Sequence, residues 1–266
     1  MDKMNKPKKK EWSDIGKFKD DEWIAEPKFD GERCTLHSAD ILRIMKEDKN
    51  KTAMYPELHN IQLPGNSIID GEVCVYNSDL TSNFNHFQRR MNLQDTVKIN
   101  QYIKQPDYTV TFVAFDILQY NDKDVTGLTF GERRRLLDTI PDNDRFKKVT
   151  QYKPEDIAPL VQPNNMEGIV IKNKNDSYHK NWYKMKNLIE TDFIISGYTT
   201  SDKRFISTIE IELDGNPMGS VTYFGPKFPQ TEEAARKLKG STAVVQYMSS
   251  GAVGKPRFPV LKEIRN

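Results

Sequence analysis

The segment Glu26-Pro27-Lys28-Phe29-Asp30-Gly31-Glu32-Arg33 sets a lysine at the end of a short strand candidate, just before an Asp-Gly turn signal. An amine in such a place becomes a nucleophile when nearby cations push it toward its neutral form. Period two puts Glu26 and Lys28 on one strand face, and the turn predicts that Arg33 comes back alongside them. Alone the pattern is too short to build on. Four further segments follow it in order. Asp70-Gly71-Glu72 lies in a strand candidate, with Glu72 facing the same side as Asp70 and Cys74. Ala114-Phe115-Asp116 lies in the most strongly β-patterned stretch of the chain. Glu167-Gly168-Ile169-Val170-Ile171-Lys172 opens with a carboxylate and ends with a cation. Trp182-Tyr183-Lys184-Met185-Lys186 puts two lysines and a tryptophan on one strand face. Taken singly, each has a plainer use: a surface carboxylate, a core phenylalanine, a solvated Lys-x-Lys edge. The ordered set is what chance does not supply.

The elements that must hold these residues are mostly strands. Trp23 to Pro27, Arg33 to His37 and Ser67 to Tyr76 are short β candidates separated by turn residues. Tyr108 to Leu118 (YTVTFVAFDIL) is rich in β-branched and aromatic residues. Thr129-Phe130-Gly131-Glu132 fits a capping box, which predicts a helix running on to Ile140. Ile157 to Val161 suits a short helix limited by Pro159, and Glu167 to Lys172 and Trp182 to Met185 return to strand. Beyond residue 188 the texture changes. Phe193–Thr199, Phe205–Leu213, Ser220–Phe224 and Thr242–Met248 read as strands, with one helix, Glu232 to Lys239, capped by Thr231 and ended by Gly240. Short strands with one intervening helix suggest a small Greek-key barrel of the OB type. The expected fold class is therefore α+β, with a lysine-rich loose arm at 1–20, a larger domain of antiparallel sheets with flanking helices at 21–188, and a barrel at 189–266. The arm is either a solvated tail or a phosphate-contacting segment.

Composition narrows the function classes. The 266 residues are 36% hydrophobic and 10% aromatic, which excludes disorder of the whole chain. With 40 Lys+Arg against 38 Asp+Glu the net charge is only +2, so any nucleic-acid surface must be a local patch. Two cysteines, Cys34 and Cys74, exclude a multi-cysteine zinc site and leave no disulfide framework. No apolar run approaches the roughly 18 residues that span a bilayer. The basic residues near the start have no apolar stretch behind them, so they form no secretory signal, and a cytoplasmic location is expected. The four histidines show no metal-ligand spacing, and Gly251 to Pro256 lacks the spacing and the Ser/Thr of a P-loop.

From about Trp23 to Arg265 the chain resembles the minimal two-domain ATP-dependent DNA ligases of the covalent nucleotidyltransferase superfamily, and the five segments match that family's nucleotide-binding motifs in order. The resemblance implies that Lys28 becomes covalently adenylated, that Glu26 reads the adenine edge, and that Phe115 and Val170 pack the two faces of the base. It implies ribose and phosphate contacts from Arg33 and Glu72, phosphate clamps at Lys184 and Lys186, and metal-side carboxylates at Glu72 and Glu167. ATP is then the co-substrate and Mg²⁺ (or Mn²⁺) the metal, a hard ion suited to carboxylates. In the terminal stretch Lys255 to Arg265, Arg257 and Arg265, with Lys262 behind them, resemble the motif that orients pyrophosphate. The implied substrate is nicked duplex DNA with 5′-phosphate and 3′-hydroxyl ends, handled by a monomer without membrane association. Small size suits a phage or accessory repair enzyme by analogy.

The sequence also departs from the family. The Asp-Lys pair that usually follows the last arginine is missing, and a Ser-Arg pair is replaced near Lys46-Glu47, where Lys46 or Arg43 inherits the phosphate role. The sequence shows no large N-terminal helical DNA-binding domain, so grip on DNA rests on the two domains and on loops such as Ser82–Gln94 with Arg89-Arg90, which equally suits a surface helix. Rival readings are an RNA ligase or mRNA-capping guanylyltransferase of the same superfamily, and a non-catalytic OB-fold protein binding nucleic acid.

Overall fold

The computed structural model describes residues 6–105, 109–225, 227–248 and 254–265. The chain divides into two compact units, Met1–Lys186 and Asn187–Asn266. In chain order the strands of the first unit are β1 (Lys8–Lys9), β2 (Trp23–Pro27), β3 (Glu32–Ser38), β4 (Leu42–Lys46), β5 (Lys49–Asn50), β6 (Ser67–Val75), β7 (Val110–Tyr120), β8 (Lys123–Asp124), β9 (Phe146–Lys148), β10 (Gly168–Asn173) and β11 (Trp182–Lys186). Its helices are α1 (Phe84–Met91), α2 (Thr96–Ile103), α3 (Phe130–Asp138) and α4 (Pro154–Ile157). Of the strand expected from Tyr108, that residue itself lies outside the described residues.

Two sheets form the first unit. One has the order β1-β11-β10-β2, and the other β5-β4-β3-β6-β7-β8 with β9 beside β7. In the smaller sheet Ala25, Ile169, Ile171 and Met185 face a core completed by Phe18, Ile157, Val161 and Met166. Strand alternation sends Glu26, Val170, Lys172, Trp182, Lys184 and Lys186 to the opposite face. Val170 is opposite Glu26 on one side and Lys184 on the other, so these three stand in one cross-sheet row. The larger sheet buries Leu36, Ile69, Val73, Phe112, Ile117 and Phe146 in its own core.

The structure corrects three expectations. Residues 1–20 were expected as a loose arm. Instead Lys8–Lys9 pair in parallel with Tyr183 and Lys184, and Trp12–Lys17 form a 3₁₀ helix whose Trp12 indole donates to the Lys186 carbonyl at 2.8 Å. An edge strand needs only backbone groups to pair, which lysines supply as well as any residue. Second, Asp30-Gly31 does not fold Arg33 back beside Lys28 within one sheet, because β2 belongs to the smaller sheet and β3 to the larger. The Asp-Gly step is a passage between sheets, and a Cβ on Gly31 would stand 2.2 Å from the Val73 carbonyl oxygen. Third, the Arg89-Arg90 pair is not a pair of free cations. Arg90 is fully buried on α1, where Glu57 accepts two hydrogen bonds of 2.9 Å from it.

β7 carries two bulges against β6. The pairing steps from Ile69 opposite Ile117 to Ile68 opposite Gln119, and from Asp70 opposite Asp116 to Gly71 opposite Ala114. Leu118 and Phe115 are thus the extra residues, and a bulge re-aims the side chains near it. Between the two bulges Asp116 turns inward to Arg133 of α3, which donates to it at 2.7 and 2.8 Å, with both side chains essentially excluded from solvent. α3 is started by the expected capping box: the Thr129 hydroxyl accepts from the Glu132 amide, and the Glu132 carboxylate accepts from the Thr129 amide.

The second unit is an antiparallel sheet of β12 (Leu188–Ser201), β13 (Arg204–Leu213), β14 (Asn216–Thr222), β15 (Thr242–Met248) and β16 (Arg257–Arg265), ordered β14-β13-β12-β15-β16, with α5 (Glu232–Leu238) between β14 and β15 in sequence. The two outer strands, β14 and β16, also approach each other. Thr231 caps α5, and Gly240 leaves it at φ +86°. The terminal stretch is itself a strand, a feature its proline and charges had hidden. Phe193, Ile195, Ile209, Val221, Val245 and Leu261 form its core with Leu238 of α5. The fold class is a mixed α+β assembly of sheets with few helices. Among the described residues no helix is long and apolar enough to cross a membrane.

Candidate active site

Lys28 follows directly on β2, held by its amide hydrogen bond of 3.0 Å to the Gly168 carbonyl. That contact needs Gly168: its φ is +146°, and a Cβ would stand 2.1 Å from the Met185 carbonyl oxygen. The neighbouring Glu167 is thereby aimed at the amine, and Lys28 Nζ donates to Glu167 Oε2 at 2.6 Å. Lys186 Nζ lies 3.3 Å from the other Glu167 oxygen, so the carboxylate bridges two cations at the front of the smaller sheet. Glu72 reaches the same place from β6 of the larger sheet.

Electrostatics here reverses one sequence expectation. Cations were expected to depress Lys28. Burial does favour its neutral form, but Glu167, then Glu72, and the Glu167 hydrogen bond outweigh it and hold the pKa above the ordinary lysine value. Glu72 is pushed up to about 8, first by burial and also by the like charge of Glu167, against the opposing pull of Lys28 and Arg33. Lys184 is pulled down, first by burial and then by Lys186, Lys28 and Lys6. The site therefore interleaves carboxylates and lysines around the Lys28 amine, with Glu167 between Lys28 and Lys186.

Lys28 lines a small cavity of about 90 Å³ together with Glu26, Val170, Lys172 and Trp182 of the smaller sheet, Arg33, Glu72 and Phe115 of the larger, and Pro7, Val149 and Phe29 from the connections. Phe115 and Trp182 meet edge to face at 6.1 Å. Lys172 is sequestered there: its Nζ is 2.7 Å from Glu26, donates to the Phe115 carbonyl at 2.8 Å and sits 4.4 Å from the Trp182 ring centroid. Glu26 also accepts from Gln151 at 3.1 Å. Arg33 is oriented by Asp70, which accepts from its Nε at 3.0 Å and from its second guanidinium nitrogen at 2.6 Å, with the Tyr178 hydroxyl on the same carboxylate. Asp70 keeps Arg33 well above the ordinary arginine value despite burial.

Thus Glu26, Lys28, Arg33, Glu72, Phe115, Glu167, Val170, Lys184 and Lys186 converge on one region. Sequence reasoning gave no role to Lys172, Asp70, Gln151, Tyr178 and Pro7. Lys172 was within reach of the period-two argument, two residues beyond Val170 on the same face. The others carry no local signal. Lys46, one of two candidates for an inherited phosphate contact, is paired with the buried Glu32 at 2.7 Å. Among the described residues no group of three or more His, Cys, Asp and Glu could hold a metal ion. Arg257, Lys262 and Arg265 all lie on β16 of the second unit, where Arg265 is 3.1 Å from Asp192 and 3.2 Å from Glu263. A larger cavity, about 480 Å³, lies in that unit beside Lys227, Lys237 and Lys262. Size does not decide between the two: the smaller one brings together Lys28, the carboxylates of Glu26 and Glu72, and the aromatic walls of Phe115 and Trp182.

Comparison with known proteins gives the family and the fold. A family model described as the ATP dependent DNA ligase domain matches residues 5–186. The SPbeta prophage-derived DNA ligase-like protein LigB of Bacillus subtilis is 27% identical over 216 residues, covering 77% of this chain and 75% of that protein. A probable DNA ligase of Dictyoglomus turgidum is 31% identical over 197 residues, covering 65% of this chain but only 33% of its own longer length. Among solved structures, a Lig E DNA ligase aligns over 100% of both chains with a TM-score of 0.69 at 18% identity. The ligase domain of LigD from M. tuberculosis aligns over 97% of this chain and 94% of that one, with a TM-score of 0.57 at 18% identity. At such identities the structural likeness speaks for the fold, while the family match spans most of the chain and all five motif segments. The chain belongs to the ATP-dependent DNA ligase family.

Proposed function

We propose that the chain seals 5′-phosphate/3′-hydroxyl breaks in duplex DNA through a lysyl-AMP intermediate on Lys28. The observation that carries this is the 2.6 Å contact between Lys28 Nζ and Glu167 beside an aromatic-walled cavity that Lys28 lines, with Lys186 on the same carboxylate. In the first step the Lys28 nitrogen bonds to the α-phosphorus of ATP and the bond to the bridging oxygen of pyrophosphate breaks. The amine must lose a proton before attack, and Glu167 Oε2 already accepts from it. The adenylyl group then passes to the DNA 5′-phosphate, and the 3′-hydroxyl displaces AMP.

The side chains divide this work. Phe115 and Val170 pack the base, and Glu26, fixed by Lys172 and Gln151, presents a carboxylate edge to it. Lys184 and Lys186 take the phosphates, while Arg33 is held by Asp70 for the ribose and phosphate region. Glu72 and Glu167 fit Mg²⁺, which is bound through one or two carboxylates and completed by substrate phosphates and water. Glu72, whose pKa burial and the charge of Glu167 push up, is a carboxylate whose ionised form such a hard cation would stabilise. When bound, Mg²⁺ would neutralise charge on the phosphates. The second unit, a five-stranded antiparallel sheet whose outer strands approach each other, is taken as the OB-type barrel. Arg257, Lys262 and Arg265 of its last strand are assigned to the pyrophosphate, and the protein to a monomer acting on nicked duplex DNA.

One assay tests the whole reading. Incubated with labelled ATP and Mg²⁺, the protein becomes covalently labelled, labelled GTP gives no such product, and a nicked duplex is sealed. Labelling by GTP instead would favour the capping guanylyltransferase reading. Within the same assay Glu167→Gln and Glu72→Gln each lower activity by at least about tenfold, the lower end of the cost of losing a metal-supporting group. Raised Mg²⁺ recovers part of the loss. Two Gln variants as active as the wild type would remove the metal assignment.

A further inference from the structure

The run Lys6-Pro7-Lys8-Lys9-Lys10 is built into the nucleotide face rather than trailing from it. β1 pairs in parallel with β11, Lys8 opposite Tyr183 and Lys9 opposite Lys184, and the Lys10 amide donates to the Lys184 carbonyl at 3.0 Å. Paired residues of neighbouring strands project from the same face of a sheet. Lys9 therefore extends the row that already holds Lys184, Val170 and Glu26, and Pro7, two residues earlier, falls on the same face beside Trp182. Pro7 indeed lines the cavity. Lys8 and Lys10 take the opposite face with Tyr183, where the Lys10 ammonium sits 5.4 Å from the Tyr183 ring centroid.

We propose that β1 is a fourth strand at the ATP site which meets it through one face only: Pro7, just before the strand, closes the base end of the cavity, and Lys9 adds a phosphate-binding cation in register with Lys184, while Lys8 points away from the site. This rests on the lysyl-AMP reading and deepens it. Lys9 is now 2.8 Å from Glu11, and both side chains are more than half exposed. A surface pair of that kind is worth little, so Lys9 can be exchanged onto a polyphosphate at small cost. Lys6 is close enough to depress Lys184, which adds positive charge to the same end of the strand pair. Phosphates of a bound nucleotide would relieve that crowding among the lysines. Contact with DNA phosphates, the other use of a basic arm, does not require a proline in the nucleotide cavity or a lysine in register with a motif lysine.

The test compares three substitutions in the full chain. Lys9→Glu raises the KM for ATP in self-adenylation roughly tenfold, the scale of one charge reversed near a phosphate in a partly screened site. Pro7→Ala raises it about threefold through lost apolar contact. Lys8→Glu makes the same charge change on the opposite face and leaves KM near the wild-type value. Sealing of a nick whose 5′ end is already adenylated falls less than self-adenylation in Lys9→Glu, because that substrate brings no β- or γ-phosphate, falls modestly in Pro7→Ala, because its adenine enters the same cavity, and is unchanged in Lys8→Glu. An unaltered KM in both Lys9→Glu and Pro7→Ala would overturn the proposal. So would equal effects of Lys8→Glu and Lys9→Glu, which would reduce it to net charge. Slower sealing of the pre-adenylated nick by Lys9→Glu at unchanged KM would assign the strand to DNA, and a parallel loss of both steps with a lowered Tm would make it merely structural; both refute the proposal. If the wild type takes no label from ATP, the lysyl-AMP reading itself fails, a result distinct from all of these.

Discussion

Lys28→Ala takes no label from ATP, yet still seals a nick whose 5′ end carries AMP. The alanine variant has no nucleophile for the first step, and the last step joins a DNA hydroxyl to an adenylated phosphate without any lysine bond being made. The loss in the first step is complete within the limit of detection. The second activity is weaker than in the wild type, because Glu167 loses one of its two cation partners when the 2.6 Å contact disappears. A control with Lys28→Arg separates charge from nucleophilicity: it retains the positive charge at the carboxylates and still accepts no label. Covalent labelling of either variant would show that another residue carries the adenylyl group.

Arg133→Met is expected to destabilise the first unit by roughly 3–5 kcal/mol, since it strands the Asp116 carboxylate without its partner. Asp116 and Arg133 are each 1% exposed or less, and the two hydrogen bonds between them are the carboxylate's main compensation. For a unit of this size the midpoint of thermal unfolding falls by roughly 6–20 °C. Adding Asp116→Leu to Arg133→Met restores much of the loss, because the cost lies in one buried charge left alone rather than in the absence of the pair. Thermal unfolding of the two variants decides this. If the double variant is as unstable as the single one, the helix contact of Arg133 with the Leu128 carbonyl, and not charge burial, is what matters.

The motif residues were legible because each segment is a contiguous strand whose alternation shows its face. Glu26 and Lys28, Val170 and Lys172, and Trp182, Lys184 and Lys186 needed only period two. What alternation cannot express is which strands are neighbours. An Asp-Gly turn serves a hairpin and a sheet crossing equally well, so Gly31 was read as the former, and the reason it is glycine, the approach of the Val73 carbonyl, lies 42 residues away in sequence. The charge state of Lys28 failed for the same reason. Lysines on β11 were visible, but the nearer group is Glu167, brought in by the unusual backbone of Gly168. Composition misled at the arm and at Arg90. Lys8, Lys9 and Lys10 look solvated although their backbone completes a sheet edge, and an arginine pair looks basic although one member is spent on Glu57.

The two bulges of β7 have a bearing on how this region can change over evolutionary time. Each adds one residue, so together they restore parity: the strand leaves the pair as it entered, and only Asp116 and Ile117 between them are inverted. Losing one of the extra residues would leave half the strand with its inside and outside exchanged. Losing both would give an unbroken ladder that still folds on paper, but without the aromatic wall at Phe115 and with Asp116 no longer turned to Arg133. Single-residue deletions are therefore barred by packing, and the compensated double deletion is barred by the site. Length variation in this part of the chain should be confined to the connections on either side of β7, and the spacing from Ala114 to Leu118 should be as invariant as the residues themselves.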